Sequence, residues 1–178
     1  MKNENDHGPP KLRYQWTCKC CGRQHDELPL DWSVPTPDHY QAIPENERPA
    51  RTQLNKDFCT IDGEAFYIRG LIEIPIIGRA DTFAWGVWAS VSAASAKTIS
   101  QVWNAPDCAN AGPFFGWLSS ALGLYPDTFS LKTHVHLRTD LAPLIELEPT
   151  DHPLAVEQRN GITVDRVIEI AEALLTRH

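Results

Sequence analysis

The sequence predicts an α+β fold: an antiparallel sheet with helices packed mainly on one face, and an N-terminal zinc-knuckle segment at its edge. Three observations predict it. In Phe66-Tyr67-Ile68-Arg69-Gly70-Leu71-Ile72-Glu73-Ile74-Pro75-Ile76 nearly every even position is apolar, the period of two that marks a half-buried strand. Val164, Val167, Ile168, Ala171, Leu174 and Leu175 recur at spacings of three and four, which gives a helix one apolar stripe. Cys18, Cys21, Gly22 and His25 crowd into one short stretch, a spacing suited to a tight metal-binding loop.

Each element follows from local chemistry. Residues 1–13 are polar and proline-containing and read as a disordered tail, leaving 14–178 as a single α+β domain with the knuckle at about 16–30. Pro35, Pro37, Pro44 and Pro49 allow only short helices in the next stretch, where Thr36 is expected to cap a helix with Pro37 in its first turn. Gly70 and Pro75 mark a bend and an edge position in the first long strand. Gly78 to Thr82 supplies a turn, Phe83 to Ser92 the next strand, and Ala93 to Trp103 a weak helix. Asn104 to Pro113 reads as a loop and Trp117 to Leu122 as one or two helical turns. Leu131 to Arg138 and Leu144 to Glu148 form a second strand pair. Pro153 to Arg159 makes a short helix that Gly161 ends, and Thr163 caps the last one.

Composition narrows the function. The 178 residues carry a formal charge of −7, with a pI near 5.4, which disfavours broad binding to nucleic acid or anionic membrane. The first ten residues lack the apolar core of a secretory signal, and no stretch reaches the ~18 apolar residues of a membrane helix. An odd set of five cysteines fits a reducing compartment better than a disulfide framework, so the expected location is the cytoplasm. A Gly-rich phosphate loop, a Gly-x-Ser-x-Gly elbow, a His-Glu-x-x-His helix and a dinucleotide fingerprint are all missing from the sequence.

The knuckle carries the most definite chemistry. Cys18 and Cys21 as thiolates, with His25 four residues on, offer three ligands from one loop. Cys59 is the preferred fourth, on the expectation that its strand runs beside the knuckle; Cys20 is an alternative to Cys18. Four such ligands close a tetrahedral, structural zinc site with no place for a catalytic water. Free cytosolic thiols and a redox Cys-x-x-Cys are the competing readings, the latter lacking the helix start on which such motifs usually sit.

A second constellation lies on the later strand pair. Lys132, His134, His136 and Arg138 share one face with Leu144, Glu146 and Glu148. With the turn centred near Leu141, His136 would face Glu146 and His134 would face Glu148. Two histidines and two carboxylates, with His152 nearby, could hold a catalytic metal of a hydrolase. The same pattern also describes a water-facing strand pair with opposite charges across the ladder. Asp151-His152-Pro153 similarly reads either as an acid–base pair or, more simply, as a helix cap followed by proline.

With these residues set out, the chain resembles an uncharacterised bacterial family, domain-of-unknown-function family 2199, from about Trp16 to the C-terminus. The resemblance rests on Cys18-x-x-Cys21-Gly22-x-x-His25, Leu28-Pro29, Phe66-Tyr67-Ile68-Arg69-Gly70, Trp85-Gly86-Val87-Trp88, Phe115-Gly116-Trp117-Leu118 and Leu147-Glu148-Pro149-Thr150-Asp151-His152-Pro153-Leu154-Ala155. Similar sequences tend to place a cysteine at Cys59, which favours it as a ligand; the family implies no activity. Cys20 and the run Ala93-Ala94-Ser95-Ala96 depart from the pattern. The expected function is that of a cytoplasmic zinc-binding protein with a structural metal, acting as a binding or interaction protein on an unknown protein partner. The alternative is a metal-dependent hydrolase using His134, His136, Glu146, Glu148 and His152.

Overall fold

A computed structural model describes residues 11–176. Of the tail expected over 1–13, residues 1–10 lie outside the described residues, and Lys11–Arg13 belong to the first strand. In chain order the elements are β1 (Lys11–Thr17), β2 (Gln24–Pro29), β3 (Asp31–Ser33), α1 (Asp38–Gln41), α2 (Arg48–Arg51), β4 (Thr52–Leu54), β5 (Phe58–Ile61), β6 (Ala65–Pro75), β7 (Thr82–Val91), α3 (Ala93–Val102), β8 (Phe114–Leu118), β9 (Lys132–Arg138), β10 (Leu141–Leu147), α4 (Pro153–Asn160) and α5 (Val164–Leu175).

The fold is mixed α+β. β1 and β2 form a small antiparallel sheet of their own, and the other eight strands form one sheet ordered β3-β7-β8-β9-β10-β6-β5-β4. The expectation of a purely antiparallel sheet is corrected, because β3 runs parallel to β7 and β10 runs parallel to β6. The sheet also returns on itself. β6 pairs along one edge with β7 and along the other with β5 and β10, so β6, β7, β8, β9 and β10 close a ring. Gly70 sits at the closure. A Cβ there would lie 2.7 Å from the Pro143 carbonyl oxygen and 2.8 Å from the Ile145 side chain, so β10 can approach β6 only over a glycine.

The alternation in β6 places its side chains as expected. Ile68, Ile72 and Ile74 are buried in the main core, opposite Ala89, Trp85 and Phe83 of β7. Tyr67 and Trp88 point to the other side, where they build a second, smaller core with Ile43, Cys59 and Ile61. Trp85 and Trp88 thus belong to different cores, as their opposite parity in the sequence requires.

Helix ends follow the capping rules. Ser92 caps α3 by accepting from the Ser95 N–H, and Thr163 caps α5 through the Arg166 N–H. His152 caps α4, its Nδ1 accepting from the Leu154 N–H at 3.2 Å with Pro153 in the first turn. Thr36 makes no cap; α1 begins after Pro37, and the Thr36 hydroxyl accepts from the Gln41 amide. The turns expected at Trp117 to Leu122 are corrected: the chain from Phe114 to Leu118 is β8, held between β7 and β9. Phe115 and Trp117 face outward there, 43% and 42% exposed, while Gly116 and Leu118 are buried.

One polar network ties the last two helices to the sheet. Buried Tyr125 donates its hydroxyl hydrogen to Glu157 at 2.6 Å and accepts from the Trp85 indole N–H at 3.3 Å. Arg166 of α5 closes on the other Glu157 oxygen at 2.8 Å. Burial and the Glu157 contact both push the Tyr125 phenol up from its ordinary value. Burial also pushes the Cys59 thiol up to about 11 and raises the Tyr67 phenol. These groups hold their protons longer in the folded chain, so between their unfolded values and their folded ones the unfolded state binds fewer protons. Stability is therefore fully present below the unfolded values of 9.0 and 10.0 and falls as pH rises past them. Urea midpoints are expected to drop as pH rises from about 9 to about 11 and beyond, with Tyr125→Phe reducing the slope only above about pH 10. An unchanged slope in that variant would contradict the assignment.

Candidate metal centre

The site is built at the turn between β1 and β2. Leu12, Trp16 and Leu28 bury one face of the hairpin in the main core, so the turn is held by packing on both flanks. The turn is closed by the Cys18 N–H donating to the Arg23 carbonyl at 2.9 Å and the Gly22 N–H donating to the Cys18 carbonyl at 2.8 Å. Gly22 takes φ +68°, a left-handed conformation that glycine adopts without a Cβ penalty. The reversal gathers the Sγ atoms of Cys18, Cys20 and Cys21 within 4.8 Å of one another. Cys18 is buried at the base, and Cys20 and Cys21 are exposed above it.

Electrostatics favour a thiolate at Cys18. The facing Cys20 thiol lowers the Cys18 pKa most, burial opposes it, and the nearby backbone N–H groups of Cys21 and Cys20 add to the lowering. The proton is left on Cys20, pushed up to about 11 chiefly by its contact with the Cys18 sulfur. Shared protons and crowded sulfurs are what a thiophilic cation resolves, since it replaces the protons with a single positive centre. The turn is also tied to the C-terminal helix: the Lys19 N–H donates to a Glu172 carboxylate oxygen of α5 at 2.6 Å.

The structure brings together a different sulfur set from the one the spacing indicated. Cys20 joins Cys18 and Cys21, whereas His25 and Cys59 stand outside the group. His25 lies opposite Trp16 in the β1–β2 ladder and stacks on its indole, 4.5 Å between centroids at 17°, with Nε2 buried and unpartnered. Cys59 is buried in the second core, on β5. The physical reason is connectivity. The hairpin forms its own sheet and leads through β2 into β3, while β5 lies toward the opposite end of the strand order, beside β4. No sequence period distinguishes those two edges. Cys108 is also buried, 3.9 Å from the Thr139 hydroxyl.

The second constellation does not converge. The β9–β10 turn lies at Thr139 and Asp140, with a register shift between Leu141 and Leu144, so Glu146 faces His134 and Leu144 faces His136. His136 reaches Glu146 diagonally at 2.7 Å, and Lys132 approaches Glu148 at 3.8 Å. His134 meets the edge of Phe115, and His152 is engaged as the α4 cap. Among the described residues, no three of His134, His136, Glu146, Glu148 and His152 bring ligand atoms within 4.8 Å. His136→Ala removes one half-exposed pair and is expected to cost no more than about 0.5 kcal/mol. It should leave the metal content of the protein unchanged, as elemental analysis would check. Among the described residues no helix is long and apolar enough to cross a membrane.

The chain belongs to DUF2199, a family of uncharacterised proteins conserved in bacteria, whose family model matches residues 17–162. No curated protein and no solved structure matches the chain.

Proposed function

We propose, for this member of the family, that Cys18, Cys20 and Cys21 bind one zinc ion as thiolates. The ion is structural: it clamps the β1–β2 turn, and through the Lys19–Glu172 contact it couples that turn to α5. The observation that carries this reading is the convergence of three sulfurs within 4.8 Å on a turn whose buried member is already biased toward its thiolate. Thiolate sets favour zinc, copper(I) and iron–sulfur clusters; zinc takes four ligands tetrahedrally, and the sulfur triangle supplies three of them.

On this reading the chain from β1 onward is one cytoplasmic domain that binds a protein partner. The exposed Phe115 and Trp117 pair on β8, packed edge to face at 5.2 Å, is the surface best suited to contact. The acidic charge of the chain favours a basic partner. The metal reading is tested by titrating reduced, metal-free protein with zinc against a chromophoric chelator. One equivalent should bind, and three thiols should become protected from a thiol reagent. Failure to compete, or protection of none of the three, would overturn it.

A further inference from the structure

We propose that the cysteine turn supplies only three of the metal's four ligands, and that the fourth is an anionic low-molecular-weight thiol taken from solution. The proposal rests on the zinc reading above and adds a ligand class to the same site.

Three observations carry it. First, among the described residues no fourth His, Cys, Asp or Glu ligand atom joins the three sulfurs: the His25 ring lies stacked on Trp16, Cys59 lies in the second core, and one Glu172 oxygen holds the Lys19 N–H. Second, the sulfur triangle has an inside and an outside. Cys18 is buried while Cys20 and Cys21 are exposed, so the remaining apex of a tetrahedral ion would project toward solvent. Third, the rim of this turn is basic although the chain is acidic. Lys19 and Arg23 flank the cysteines and are exposed, whereas Lys11, at the far end of the hairpin, is paired with Glu27. A small thiol bearing carboxylates would find a soft metal for its sulfur and cations for its charges.

The step is a ligand exchange without oxidation or reduction. The incoming thiol loses its proton to solvent, its sulfur donates a lone pair to the metal, and a bound water leaves. Because the fourth ligand is exchangeable, occupancy of the site would follow the thiol concentration of the surroundings.

Cobalt(II) in place of zinc makes the test visible, since thiolate-to-cobalt charge-transfer absorption scales with the number of sulfur ligands. With glutathione as the probe, the absorption of the cobalt-loaded full chain should rise by roughly a third, from three sulfurs to four. The double variant Lys19→Glu, Arg23→Glu should raise the glutathione concentration needed for half of that change by about tenfold, with little effect on neutral 2-mercaptoethanol. His25→Ala should leave both spectra as they are. An unchanged band under saturating glutathione with cobalt still bound would overturn this proposal alone, as would a loss of the glutathione-free band in His25→Ala. Removal of the cobalt by glutathione would overturn it too. If cobalt does not bind, the metal reading itself fails and takes the proposal with it.

Discussion

Cys18→Ser is expected to weaken zinc binding by at least about 100-fold, a larger loss than substitution at either exposed cysteine. Cys18 is the buried corner of the sulfur triangle and the residue whose backbone makes both hydrogen bonds that close the turn. Its thiol is also the one whose surroundings favour the charged form that a metal requires. Serine keeps the backbone and much of the volume but offers a hard, protonated oxygen. Structural zinc contributes ~10–16 kcal/mol in isolated finger peptides, far more than this hairpin needs, because Leu12, Trp16 and Leu28 already anchor it. The variant should therefore remain folded and lose order locally. Hydrogen exchange at the Lys19 and Gly22 amides should accelerate in the variant when zinc is supplied, while the amides of β6 and β7 stay protected. Equal zinc affinity in wild type and variant would remove Cys18 from the site.

Gly70→Ala is expected to cost about 2–3 kcal/mol, more than a methyl group normally costs in a strand. The new Cβ would meet a backbone oxygen at 2.7 Å and the branched Ile145 side chain at 2.8 Å. Neither can swing aside: Pro143 and Ile145 are both buried on β10, and that strand is fixed to β9 on its other edge. The contrast is Gly78→Ala, at a turn with φ +77° and nothing within 4 Å of the added carbon. That substitution carries only the left-handed conformational penalty, about 1 kcal/mol. Urea unfolding of the two variants distinguishes crowding at the ring closure from a backbone penalty alone. If Gly70→Ala unfolds no earlier than Gly78→Ala, β10 does not lie against β6 as described.

The same closure shows where sequence reasoning stops. Period-two alternation marks β6, and the apolar stripe marks α5, because both are local consequences of which face is buried. Caps at His152 and Thr163 are legible for the same reason, the donor and acceptor lying within a few residues, whereas Ser92, read as the end of a strand, caps α3 and Thr36, read as a cap, does not cap α1. Partner choice between distant strands is not local, so the parallel contact of Leu144 with Leu71 leaves no pattern in either segment. β8 was hidden by its own composition. Phe114-Phe115-Gly116-Trp117-Leu118 is apolar apart from its glycine, so the alternation of exposed Phe115 and Trp117 with buried Gly116 and Leu118 cannot be read from residue type.

The metal site divides along the same line. Cys18, Cys21 and the glycine turn are adjacent in sequence, and their grouping follows from the reversal of the chain. The inclusion of Cys20 depends on the tightness of that reversal, which spacing does not specify. The separation of Cys59 depends on which edge of the larger sheet its strand occupies. The histidine–glutamate face failed as a site for a related reason. The turn lies at Thr139 and Asp140 instead of near Leu141, so each histidine faces the residue two positions earlier on β10 than expected, and the contacts that remain are cross-strand pairs in water.

The most direct measurement is the intact mass of the reduced full chain under non-denaturing conditions, purified without added metal. The account predicts the chain plus a single zinc ion, with the ion released on acidification as the thiolates take up protons. A bare chain mass, from folded protein whose Cys18, Cys20 and Cys21 all react freely with a thiol reagent, would contradict it.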